Sequence, residues 1–129
     1  MQRTSSTDVF FRHKTTHRPL YDRLFAEAQR EGFDEVLFLN EKDEVTEGAI
    51  SNVFVRLAGR LYTPPLGCGV LPGVFRRHLL DAVASTEERV LTLEDLQAAS
   101  DVYLCNSVRG LRRITELDAA AFRAATRNA

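Results

Sequence analysis

The segment Glu35 to Asn40, EVLFLN, is a nearly continuous apolar run, and such a run predicts a strand buried on both faces. Before it, Leu20, Leu24, Phe25 and Ala28 recur at helical spacing after Pro19, which can open a helix, and Gly32 sits where that helix would stop. Asp8 to His13, DVFFRH, is short, aromatic and bounded by polar residues, so it reads as a first strand. The charged turn EKDE leads into VTEGAISNVFVRL, whose second half has strand character, and Gly59 turns the chain into RLYT as a hairpin. VFRRHLLDAVAS predicts an amphipathic helix with Val74, Leu79, Leu80 and Val83 facing inward. In LTLEDLQAA, Thr92 stands as N-cap with Asp95 three residues on, a capping-box variant. DVYLCNS and LRRITEL read as two more strands, and the tail AAAFRAATRNA is helix-prone.

Strands and helices interleave, so the fold class is α/β in the broad sense, a mixed α+β domain. Phe10, Phe11, Val36, Phe38, Val53, Phe54, Val102 and Leu104 are the expected core. The chain has 129 residues, enough for a single domain, and no repeat or linker divides it. Seventeen basic against eighteen acidic side chains leave a net charge of -1, no footprint for nucleic acid or an anionic membrane. No apolar run approaches the roughly 20 residues of a membrane span, and the N-terminus has no signal-peptide core, so a cytoplasmic location is expected. Cys68 and Cys105 lie 37 residues apart without a metal-ligand spacing, which predicts free thiols. His13, His17 and His78 form no ligand pattern either, and no metal is expected.

Four features rise above this background. Lys14 ends the first predicted strand, and it is one of only two lysines, the other being Lys42 in a charged turn. A lysine leaving a strand end can enter a cleft, where desolvation makes its amine nucleophilic. Glu47 lies among small residues in TEGAISN, where a backbone can approach a ligand closely. In LPGVFRRHLL, Gly73 and the first helical amides, those of Val74 and Phe75, can cradle a phosphate. In the turn CNSVRG, Ser107 can donate to a phosphate and Arg109 can pair with a carboxylate. Alone, each is more often an ordinary surface lysine, loop acid, helix end or turn. Together they supply an imine-forming amine, a partner for a pyridinium nitrogen and two phosphate anchors, the parts of a pyridoxal 5′-phosphate site.

The run Glu47, Ala49, Asn52, Val53, Phe54, Leu61, Thr63, Leu71, Gly73, Val74, Arg76 resembles the signature of class IV aminotransferases, the fold-type IV pyridoxal phosphate enzymes. The resemblance extends from about Phe10 to about Arg113. It implies a curled mixed sheet, a pseudo-barrel with outer helices, as in the large domain of D-amino acid aminotransferase. It also implies that Lys14, 33 residues before Glu47, is the catalytic lysine that holds the cofactor and moves protons. Glu47 would partner the ring nitrogen. Gly73, Val74, Phe75 and Ser107 would hold the phosphate, and Arg109 a substrate carboxylate.

RHKTTHRPLYDR followed by GFDEVLFLNE is most similar to the 4-amino-4-deoxychorismate lyase branch, including the lyase region fused to aminodeoxychorismate synthase component I. Branched-chain aminotransferases carry Asn-Tyr shortly after the lysine, where this chain has Arg18-Pro19. The resemblance therefore implies release of pyruvate and 4-aminobenzoate, for folate synthesis. A D- or branched-chain transaminase and a noncatalytic dimerisation module stand as alternatives. Family members carry a smaller N-terminal domain before the lysine, whereas thirteen residues precede Lys14 here. Residues 1–129 are thus expected to be the large cofactor-binding domain alone. The expected partners are a small-molecule substrate and a second copy in a homodimer, with the N-terminal domain or synthase component I as further candidates.

Overall fold

A computed structural model describes residues 3–4, 19–118 and 123–127. The predicted strand at 8–13, with Phe10 and Phe11, lies outside the described residues. Strand β1 (Arg3–Thr4) is followed by helix α1 (Pro19–Arg30), then β2 (Glu35–Asn40), β3 (Val45–Gly48), β4 (Asn52–Leu57) and β5 (Arg60–Thr63). A 3₁₀ turn (Leu66–Cys68) leads to α2 (Val74–Ala82), β6 (Thr86–Glu88), α3 (Leu93–Ala98), β7 (Asp101–Asn106), β8 (Gly110–Asp118) and β9 (Arg123–Arg127).

The nine strands among the described residues form one mixed sheet. β1 with β2 and β5 with β6 are parallel, and all other pairs are antiparallel. From β2 the pairings run through β3, β4, β7, β8 and β9, and β9 pairs with β2 again. The sheet thus curls back toward itself as expected, and its thinnest seam is the single pair Glu47↔Asn52 that joins β3 to β4.

All six residues of β2 are buried, as its apolar run requires. Between β2, β4 and β7, Leu37, Leu39, Val53, Val55, Val102 and Leu104 form the largest core cluster, which α3 covers with Leu96. α1 covers the opposite face of β2 with Tyr21 and Ala28 against Val36 and Phe38. It begins at Pro19 and ends before Gly32, whose φ of 88° supplies the left-handed stop. α2 packs Leu79 on Phe54 and Cys105. The expected core residues Val36, Phe38, Val53, Phe54, Val102 and Leu104 are all buried. The β4–β5 hairpin turns through Ala58 and Gly59, both at positive φ, and Thr92 and Asp95 complete the capping box of α3. No described helix is long and apolar enough to cross a membrane.

Two expectations fail. Val74 does not face inward but is 77% exposed. The buried stripe of α2 instead starts at Arg76, 2% exposed, and continues through Leu79 to the half-buried Leu80 and Val83. Val74, two residues before Arg76, falls on the opposite side of the helix. The described part of the tail is not helical. Arg123–Arg127 forms β9, because the free edges of β8 and β2 offer backbone partners on both sides, and these override a weak local propensity.

Candidate active site

Glu47 sits in β3 with 4% exposure, at the one-pair junction with β4. Its Oε1 accepts the Leu71 N–H at 2.9 Å, and the Tyr21 hydroxyl donates to Oε2 at 3.4 Å. Tyr21 reaches there from α1, its ring stacked on Phe38 with centroids 4.0 Å apart. A carboxylate buried at this point is placed where it can meet a cationic ligand atom.

A cavity of about 340 Å³ opens beside this carboxylate. Glu47 and residues 48–52 form one wall, Leu71 to Phe75 a second, and Cys105 to Ser107 a third. Gly73 is the N-cap of α2 and gives no side-chain cap, so the first-turn amides of Val74 and Phe75 are left for another acceptor. Ser107 stands exposed in the β7–β8 turn, across the same cavity. The structure therefore gathers Glu47, Gly73, Val74, Phe75 and Ser107 around one space.

Arg109 is not in that space. It borders a separate cleft of about 10 Å³ with Asp34 and Arg112. Asn106 explains the separation, because its Oδ1 accepts the N–H groups of Val108 at 3.0 Å and Arg109 at 2.7 Å, which turns the chain away after Ser107. Lys14, His13, His17 and Arg18 lie outside the described residues.

Three residues make contributions that the sequence reading did not assign, Asn52 standing there only as part of the signature run. Glu35 is 1% exposed, and its carboxylate accepts the N–H groups of Val36, Ala49 and Ile50 at 2.9, 2.8 and 3.1 Å, which fixes the 48–51 wall. Burial pushes its carboxyl above the usual carboxylate range, against the opposing pull of those amides and the Ser51 side chain. Asn106 Nδ2 donates to the Ile50 carbonyl at 3.1 Å and ties two walls together. Asn52 Nδ2 donates to the Leu71 carbonyl at 3.0 Å. The available signal was a polar side chain inside an otherwise apolar strand, visible for Glu35 in EVLFLN and for Asn52 in NVFV. Cys105 also borders the cavity, but burial pushes its thiol up to about 12, so it is inert as a nucleophile at neutral pH. Both cysteines are free, as their spacing predicted.

The family model for amino-transferase class IV matches residues 1–117. A relative from Thermotoga maritima, described as a probable branched-chain-amino-acid aminotransferase, is 33% identical over 74% of this chain and 37% of its own. The aminodeoxychorismate lyase of Bacillus subtilis is 36% identical over 65% of this chain and 30% of its own. A solved structure from Mesorhizobium loti, provisionally described as an amino-acid aminotransferase, superposes with a TM-score of 0.79 at 43% identity, over 86% of this chain and 54% of that one. The chain spans about a third of the length of the curated relatives it matches.

Proposed function

The chain belongs to the class IV aminotransferase family, whose members depend on pyridoxal 5′-phosphate, and from that premise we propose that it is the cofactor-binding domain of a 4-amino-4-deoxychorismate lyase. One observation supports the cofactor assignment above all: a buried carboxylate and an uncapped helix N-terminus face each other across a single cavity of small-ligand size. The residues present fit a phosphorylated pyridine. Glu47 would hold the proton on the ring nitrogen, and the Val74 and Phe75 amides with the Ser107 hydroxyl would bind the phosphate. When bound, the cofactor supplies a protonated ring that accepts the electron pair released at the substrate carbon.

Lys14 would carry the proton between substrate carbon and leaving group, as base and then as acid. The 48–51 wall, fixed by Glu35, would exclude water from the ring face. Arg109 has no place in this cavity, so the structure lends no support to its assignment to a substrate carboxylate. The lyase reading is supported by Arg18-Pro19 after Lys14 and by the Bacillus relative, and the transaminase reading by the Thermotoga relative.

The test adds pyridoxal 5′-phosphate to purified protein, follows the visible absorbance band, reduces with borohydride and maps the adduct. An adduct on Lys14 is expected, and Lys14→Ala should abolish it. Incubation of cofactor-loaded, unreduced protein with aminodeoxychorismate should release pyruvate. Glutamate or alanine formed from a keto acid would instead establish the transaminase. A folded chain that shows no band would favour the noncatalytic module.

A further inference from the structure

Glu47 and Asn52 are register partners across β3 and β4, and both reach to one residue, Leu71. Glu47 accepts the Leu71 N–H at 2.9 Å, while Asn52 donates to the Leu71 carbonyl at 3.0 Å. That carbonyl also accepts the Gly73 N–H at 2.9 Å, closing a tight turn around Pro72. Asn52 Oδ1 meanwhile lies against Gly73, in the space that a Cβ there would take. The buried Asn52 amide thus touches two of the three residues that lead into α2, and Glu47 holds the first of them.

We propose that Asn52 is a positioning residue, which sets the first turn of α2 at a fixed distance from the Glu47 carboxylate. The cavity then matches both ends of one ligand, a ring nitrogen and a phosphate monoester, and Gly73 is required because Asn52 occupies its side-chain space. The inference rests on the cofactor reading above and adds what makes the two ends act together. Neither residue needs to touch the phosphate. Asn52 acts through Leu71 and Gly73, so its loss should weaken recognition of the phosphate and leave recognition of the ring.

The experiment compares pyridoxamine 5′-phosphate with pyridoxamine, ligands that bind without an imine to Lys14. Asn52→Ala should lower affinity for the phosphorylated ligand about tenfold or more and change affinity for pyridoxamine less than about twofold. An equal loss for both ligands would overturn the positioning role. Gly73→Ala should also weaken the phosphorylated ligand in the wild-type background, but add little to Asn52→Ala, because the overlapping Oδ1 is then gone. Additive losses would overturn the Asn52–Gly73 contact. The same cycle read by thermal melting without ligand separates the two ideas. Non-additive melting in a wild type that binds neither ligand sinks the cofactor reading, and the positioning role with it, but keeps the contact.

Discussion

The carboxylate of Glu35 fills the space that a side chain on Gly48 would need. A Cβ on Gly48 would lie 2.5 Å from Glu35 Cδ and Oε2. Glu35 cannot swing aside cheaply, since three backbone N–H groups hold its two oxygens and the residue is 1% exposed. Gly48→Ala should therefore cost roughly 1–3 kcal/mol, the range of an overpacked core. Gly67, with nothing within 4 Å of its would-be Cβ, is the control, and Gly67→Ala should stay within about 0.5 kcal/mol. Urea unfolding of the two variants measures the difference, and equal costs would refute the contact.

The same carboxyl links stability to pH. Its native pKa is raised by burial, so the folded chain holds the proton more tightly than the unfolded chain. Its contribution is fully present below the ordinary carboxylate range and is lost as pH rises through the raised value. Glu35→Gln removes the titration, so that part of the decline should vanish from the stability profile, whatever the offset between the two proteins. Unfolding free energies from about pH 4 to pH 8 test this, and parallel profiles would count against it.

The buried thiols act at the opposite end of the scale. Burial pushes Cys105 up to about 12, while burial and the Glu44 carboxylate push Cys68 up to about 11. Between the ordinary thiol range and those values the native chain keeps protons that the unfolded chain releases, so stability should fall as pH rises. At pH 8 neither thiol should react with a disulfide reagent until the chain unfolds, when both react. Fast native labelling of either one would contradict their burial.

Elements with a strong local pattern were legible in the sequence. The apolar run of β2, the Pro19 start of α1 and the Thr92–Asp95 box each carry their own signal within one turn or strand. Strands made by pairing were not. β3 is separated from β4 by three residues, β6 is three residues long and β9 is Ala-rich, and each exists because an edge was waiting for it. At the site, Glu47, Gly73, Val74, Phe75 and Ser107, which border the cavity, were named from motif and helix-end chemistry. The roles of Glu35, behind the wall, and of Asn52 and Asn106, on the wall itself, depend on long-range contacts such as Asn52 to Leu71 that residue spacing does not show. Arg109 shows the converse: adjacency in sequence to Ser107 did not bring it to the same cavity.

Helix α2 gives the sharpest contrast between pattern and packing. By hydrophobicity Val74 belongs in the core and Arg76 outside, yet Val74 is 77% exposed and Arg76 is 2% exposed. Arg76 is tolerated there because Nη2 donates to the Pro64 carbonyl at 3.1 Å and meets Glu88 Oε2 at 2.6 Å, so the helix is bound to the β5–β6 edge. Arg76→Ala would leave a void and a carbonyl without its donor, and should cost roughly 2–4 kcal/mol. Val74→Ser should change stability by no more than about 0.5 kcal/mol, since little surface is recovered or lost. Denaturant unfolding of the pair reads the orientation of the helix directly. If Val74→Ser were the costlier of the two, α2 would have to be rotated, and its first amides would no longer point where the cavity needs them.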